Sequence, residues 1–387
     1  MDQFATNPPS NLLHNQERVL SYRPGGYHPV CLGDTFKKKR YRVVHKLGWG
    51  GFSTVWLAKD NLLGAWVALK IEIAETTIPS PELLNLQSIH QHTESDRVAH
   101  LIDSFVHEGP NGSHQCTVTE LLGPTVDNVV ADYHTGGERL ESDIILKITK
   151  QLLEAIFSLH QAGYAHGDLS GANVVFTASQ LSHLSEDALF DIVGHPESAA
   201  LVRIDGDPMG GSMPKQLIRS TSWAEWVDED EEDIRLIDWG EAFKHGQEPA
   251  RLAQPGDLKA PETIFTGHFD HRIDLWRAGC IIYTLLFAAR PFQYLGDDAV
   301  LIAQMIGFVE ELPQQWRQEW EVIQTNASID TPHYNGANLH QASKLQSRFY
   351  ALVHEPGLMP LLPIIHGLMR FLPSERLTAA EALKLLG

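Results

Sequence analysis

The sequence predicts an α+β chain, with a small antiparallel sheet near its start and a larger, mainly helical part after it. Three observations carry this. The runs YRVVHKL at 41–47, STVWLAK at 53–59 and AWVALKI at 65–71 are rich in β-branched and aromatic residues and follow one another across glycine-containing turns, as the strands of one meander do. Ile145, Ile148, Leu152, Ile156 and Leu159 recur at three- and four-residue steps and predict a long helix over 142–162. From Asp274 to the end, helical patterns dominate.

The 387 residues have room for one large two-lobed domain or two ordinary ones, and 43% hydrophobic with 20% charged residues is ordinary for a globular chain. A formal net charge of -19 argues against non-specific nucleic-acid binding and favours basic partners, although the same charge also serves solubility. Cys31, Cys116 and Cys280 are too few and too scattered for a disulfide framework or a zinc site, which suits packing thiols in a reducing compartment. MDQFATNPPSN lacks the pattern of a signal peptide. The most apolar run, 278–289, is shorter than the ~20 residues that span a bilayer and reads as a buried helix. His90, His92 and His100 read as surface or loop residues, not ligands.

Taken in order, residues 1–21 are polar, carry two adjacent prolines and are expected to be poorly ordered. SYRPGGYHPVCLGDTF at 21–36 is an irregular lead-in to the strands. Ser80 is placed to cap a helix with Pro81 in its first turn and Leu83, Leu86 and Ile89 as its apolar stripe. Strands follow at 101–107 and 115–121. In the long helix, Ser142 is the expected cap and Gly163 the expected stop. Residues 177–233 read as an insertion: a short helix over 185–193, a GDPMGGSMP loop, and the acidic run DEDEED at 228–233, read as a solvated, flexible tail in preference to a docking site. IRLIDWG at 234–240 restores a strand, 293–360 carries short helical patterns and loops, and ERLTAAEALKLL closes the chain as a helix.

The chemistry centres on YAHGDLSGANVVF at 164–176. Asp168 can accept a hydroxyl proton and Asn173, five positions on, can offer an oxygen to magnesium, a pairing suited to phosphoryl transfer. GWGGFSTV at 48–55 is a glycine-rich hairpin whose backbone N–H groups can approach phosphates. An ordinary β-turn would explain it equally if it stood alone. Lys70 ends the apolar strand VALK and needs a partner, for which phosphates and the carboxylate of Glu82 are candidates. Asp238 follows an apolar strand, and Glu262 with Arg376 suggests a buried ion pair.

Lys70, Glu82, Asp168, Asn173, Asp238, Glu262, Asp274 and Arg376, in this order from about residue 40 to the end, resemble the protein-kinase signature set. The GGYHPV lead-in, the GWGGFSTVW loop and HEGPNGSHQCTVTELLG look like the SR-protein-specific kinases, which phosphorylate serines in Arg/Ser-rich splicing factors. The resemblance implies a bilobal kinase-like fold: an extension over 1–39, an N-lobe over 40–121, and a C-lobe over 122–387 with the insertion at 177–233. It implies ATP and Mg2+ as cofactors. Leu47 would line the nucleotide site, Gly48, Gly50 and Ser53 would lie over the phosphates, and Val55 and Ala68 would pack on adenine. Lys70, oriented by Glu82, would hold the α- and β-phosphates. Thr119 would back the adenine pocket, with Glu120 and Leu122 bonding the base through their backbone. Asp168 would be the base, with Asn173 and Asp238 as magnesium ligands. The implied partner is a basic Arg/Ser-rich protein, for a monomer in the cytoplasm and/or nucleus without direct nucleic-acid or membrane binding.

The chain departs from that pattern inside its central loop. Gly167 stands where the family carries Arg, Ser170 where it carries the Lys that steadies the γ-phosphate, and Gly171 and Ala172 replace Pro and Glu. Residues 241–259 contain no Ser, Thr or Tyr, so phosphorylation within that segment cannot activate the chain. Lys259 or Arg251 is the expected substitute for the missing lysine. Three readings follow: an ATP-dependent serine/threonine kinase, a pseudokinase that binds nucleotide as a scaffold, and, least favoured, a small-molecule phosphotransferase.

Overall fold

The computed structural model describes residues 3–93, 95–226, 229–325 and 343–387. The chain divides into two compact units, one of residues 1–87, 99–124 and 176–232, the other of 88–98, 125–175 and 233–387.

The first unit is built on a six-stranded antiparallel sheet in the order Thr35–Phe36, Tyr41–Gly50, Ser53–Asp60, Ala65–Glu72, Gly112–Glu120, Leu101–Gly109. Strand alternation sends Tyr41, Val43, Trp56, Ala58, Leu69 and Val118 into one core. The five strands expected from the sequence are all present, each within a few residues of its expected ends.

The segments expected to be irregular form a second sheet in the same unit. Phe4–Asn7, Ser198–Arg203 and Gln216–Ile218 make three antiparallel strands, with Leu12, Val19, Ala199, Leu201 and Leu217 buried beneath them. The expectation of a poorly ordered start is thereby corrected for residues 3–21; residues 1 and 2 lie outside the described residues. Phe4–Asn7 is too short and too polar to signal a strand locally, and it acquires one by pairing with a partner almost two hundred residues away. The acidic run also differs from its reading as a solvated stretch. Glu229 and Glu232 are buried, and the Glu232 carboxylate accepts hydrogen bonds from Thr177 Oγ1, Ser179 N and Ser179 Oγ. Asp228 lies outside the described residues.

The second unit is mainly helical. The helix Ser142–Gln161 buries Ile145, Ile148, Leu152, Ile156 and Leu159, the expected stripe. Glu141 occupies the cap position instead of Ser142, and Gly163 turns the chain at φ 79°. The helix Ile273–Phe287 is buried on all sides, with Thr284 its one partly exposed residue, which explains the apolar run read from the sequence. Glu262 and Arg376 form the expected buried ion pair, with Arg376 NH2 2.6 Å from Glu262 Oε2. Among the described residues no helix is long and apolar enough to cross a membrane.

Candidate active site

In the first unit the glycine-rich stretch is a true hairpin: Gly48 lies opposite Val55 and Gly50 opposite Ser53. Tyr27, from the GGYHPV lead-in, donates to the Gly50 carbonyl at 2.6 Å and pins the hairpin tip. A Cβ added at Gly48 or Gly50 would meet no atom of the chain within 4 Å. Packing therefore does not demand glycine there.

Cross-strand register sets the neighbouring residues on one face. Val55 lies opposite Lys70, and Ala68 opposite Thr119. These four, with Leu47 and Glu120, are half-buried in a sheet whose opposite face is closed, Ser53 is buried, and Leu122, also half-buried, starts the separate strand Leu122–Thr125. Glu120 accepts from His100 N at 3.0 Å through its side chain, and its own backbone N donates to the His100 carbonyl at 3.2 Å. Lys70 Nζ sits 2.6 Å from Glu82 Oε2 and donates to Glu82 Oε1 at 2.7 Å. Ser80 anchors the helix Pro81–His92 that carries Glu82: its Oγ accepts from Leu83 N and donates to Glu72.

In the second unit Asp168 is held at both carboxylate oxygens. Oδ1 accepts from Arg277 NH1 at 2.8 Å, and Oδ2 from Asn173 Nδ2 at 3.3 Å. Asn173 Nδ2 also donates to the Asp168 carbonyl at 2.8 Å, so its amide nitrogen faces the loop. Ile237 N donates to the Asn173 carbonyl at 3.1 Å, tying the residue before Asp238 to the Asp168 loop. Asp238 has the left-handed φ of 66°, a conformation that Asp tolerates better than most residues.

The loop is clamped from below. The fully buried Asp274 accepts from His166 N at 2.8 Å and Gly167 N at 3.0 Å, and lies 3.2 Å from His160 Nε2. Burial, the largest single influence, pushes its carboxyl up, but hydrogen bonds and charge from His160 and His166 together hold it below the usual carboxylate value. His166 accepts from Asp168 N at Nδ1 and donates from Nε2 to the Ile237 carbonyl, so one tautomer satisfies both contacts. The departures from the family pattern are built in. Gly167 has φ 77°, and a Cβ there would lie 2.3 Å from the Glu241 carbonyl oxygen. A Cβ on Gly171 would lie 2.0 Å from Asp127 Oδ1.

The segment after Asp238 is fixed by backbone pairing: Phe243–Lys244 pairs with Tyr164–Ala165, and His245 N donates to the Gly163 carbonyl. Lys259, one expected substitute for the missing lysine, is engaged elsewhere, donating to Asp298 at 2.8 Å and lying over the Tyr294 ring. Arg277 sits in a buried helix whose pattern signals packing alone; its one signal in the sequence is a charge that it and Asp274 place among apolar neighbours.

A protein kinase domain family model matches residues 41–185 and 226–385. The chain belongs to the protein kinase family. This kinase is 30% identical over 332 residues to the serine/threonine-protein kinase SRPK of Physarum polycephalum, covering 75% of this chain and 72% of the relative. It is 39% identical over 186 residues to the protein kinase dsk1 of Schizosaccharomyces pombe, a match covering 45% of this chain and only 34% of that protein's length. The resemblance to SR-protein-specific kinases thus holds among its relatives. The crystal structure of a kinase domain superposes with a TM-score of 0.65 at 17% identity, covering 93% of this chain, and shows the kinase fold: a β-sheet N-lobe and a helical C-lobe.

The kinase family uses ATP and magnesium. The residues present fit both. Among the described residues no group of three or more His, Cys, Asp or Glu is arranged to hold a metal alone. The Asn173 oxygen and the Asp238 carboxylate offer the one or two ligands that magnesium takes when substrate phosphates complete its shell.

Proposed function

We propose that this chain is an ATP-dependent serine/threonine protein kinase that phosphorylates serines of basic, Arg/Ser-rich proteins in the cytoplasm or nucleus. The observation that carries the reading is the Asp168 carboxylate, held at one oxygen by Arg277 and at the other by Asn173. A scaffold has no need to orient a base in this way. The formed Lys70–Glu82 pair supports it from the other unit.

In this reading the hairpin backbone at Gly48, Gly50 and Ser53 covers the ATP phosphates, and Leu47, Val55 and Ala68 enclose the adenine, with Thr119 behind it and Glu120 and Leu122 bonding its edge. Lys70, held by Glu82, fixes the α- and β-phosphates. Asp168 orients the serine hydroxyl and accepts its proton as the oxygen attacks. Asn173 and Asp238 hold magnesium, which when bound neutralises charge on the phosphate oxygens. No phosphate on residues 241–259 is required, since that segment has no acceptor and is held by strand pairing.

Ser170 favours a second reading, a pseudokinase that binds nucleotide without turnover, because no lysine follows the base. One assay separates them. Purified protein with magnesium, labelled ATP and an Arg-Ser repeat peptide is expected to label serine, and Asp168→Ala to lower the rate by about 10²–10⁴-fold. Phosphatase treatment beforehand is expected to leave turnover unchanged. ATP binding without any transfer would leave the scaffold reading standing alone.

A further inference from the structure

The stretch 164–176 contains no Lys or Arg, so the loop that carries the base brings no positive charge of its own. The ion-pair partner of Asp168 comes from a different element, the first turns of the helix Ile273–Phe287. Two residues three positions apart, and therefore on one helix face, grip four consecutive loop residues there. Asp274 takes the backbone N–H groups of His166 and Gly167. Arg277 NH1 takes the Asp168 carboxylate at 2.8 Å and the Leu169 carbonyl at 3.2 Å.

Stability alone does not explain Arg277. Its side chain is 0% exposed, while its Asp168 partner is 24% exposed. Its Nε and NH2 have no hydrogen-bond partner among the described residues. Such a guanidinium loses its hydration and regains two contacts from five N–H groups, and apolar side chains of similar volume often replace buried ions without loss of stability. In a helix otherwise packed with Leu, Ile, Trp and Tyr, a buried cation aimed at the base has a chemical use.

We infer that Arg277 is a positioning residue for phosphoryl transfer: its buried guanidinium fixes the Asp168 carboxylate and supplies the local positive charge that the loop lacks at Ser170. The inference rests on the kinase reading. Asn173 holds Oδ2 through a neutral amide, so Arg277 provides the charged half of the grip. Its effect falls on the rate of transfer and not on nucleotide affinity, since nucleotide contacts are assigned to other residues.

The test compares Arg277→Met, Arg277→Gln and Arg277→Lys with wild type, by kcat and KM for ATP and an Arg-Ser repeat peptide, with thermal unfolding on the same preparations. Arg277→Met is expected to keep its unfolding midpoint and both KM values and to lose about 100-fold in kcat, the scale of a misplaced reacting group. Arg277→Lys, which keeps the cation, is expected to recover at least about tenfold of that loss. A folded Arg277→Met with kcat within about twofold of wild type overturns the inference and leaves the kinase reading intact. If Arg277→Met does not fold, the other two variants decide: Lys well above Gln in kcat supports the inference, and equal values overturn it. Absence of Asp168-dependent transfer by the wild-type chain is a different result, which overturns the kinase reading and this inference with it.

Discussion

At Gly167 the backbone takes φ 77°, and a Cβ would come within 2.3 Å of the Glu241 carbonyl oxygen. The family's Arg at this position is therefore excluded by the fold of this loop as well as absent from its sequence. The Glu241 carbonyl is backbone and cannot swing aside like a side chain, so relief has to come from moving the loop or the segment after Asp238. Gly167→Arg is accordingly expected to cost about 2–4 kcal/mol, one part from the left-handed conformation and one from overpacking. Denaturant unfolding of the purified variant measures this, and an unchanged midpoint would show that the loop has an alternative course open to a larger residue. Gly171 is the softer case: proline, the family's residue, would place its Cβ on the Asp127 carboxylate, a side chain that has to turn away to make room. These glycines are consequences of close approach between the loop and its surroundings, which no reading of the loop's own residues reveals.

The N-terminal segment and the 177–233 stretch act as one element, and their junction with the main sheet lies at Lys46. This lysine is 0% exposed, and its ammonium pairs with Glu17, which is 2% exposed and also accepts from Tyr22 OH. Burial lowers the Lys46 pKa, and Glu17 works against that shift. The Lys46 carbonyl accepts from Thr221 N at 2.8 Å, so both outlying segments meet the strand immediately before the glycine-rich hairpin. Glu17→Ala leaves a buried ammonium without its carboxylate and is expected to cost about 3–5 kcal/mol, with Lys46→Met in the same chain restoring much of it. Equal stability of Glu17→Ala and wild type in urea unfolding would contradict this. The contrast with the main elements is instructive. Strands 41–47, 53–59 and 65–71 and the helix over 142–162 were legible because each carries its own period over several turns or pleats. Asp168, Asn173, Lys70 and Glu82 were legible through their spacing along such elements. Phe4–Asn7 has four residues and one buried polar side chain, and its strand exists only through pairing with Ser198–Arg203. Glu232 read as part of a charge run because a sequence does not display the Thr177 and Ser179 donors that surround its carboxylate. Arg277 was hidden for the converse reason, its neighbours announcing a core helix so strongly that the charge among them was passed over.

Across the whole molecule, 49 acidic residues against 30 Lys and Arg give the net charge of -19. A field of that sign attracts Arg-rich chains and repels nucleic acid, and it acts over distances set by salt: the Debye length is about 10 Å at 0.1 M and about 3 Å at 1 M. If basic protein is the substrate, attraction contributes to encounter and to ground-state binding, whereas the transfer step depends on contacts already fixed within the bound complex, such as Arg277 on Asp168 and Lys70 on Glu82. Salt should then separate the two. Raising ionic strength from about 0.05 to 0.5 M is expected to lower kcat/KM for an Arg-Ser repeat peptide by about tenfold or more while kcat at saturating peptide stays within about twofold. A serine peptide without arginines serves as the control, because its kcat/KM has no opposite charge to lose and is expected to stay nearly flat. A parallel fall for both peptides would place the salt effect on the enzyme itself and remove charge attraction as the basis of substrate choice. A flat response for the Arg-Ser peptide would mean that the acidic surface serves solubility alone, and that preference for arginine must come from short-range contacts in the second unit or from a different substrate class altogether.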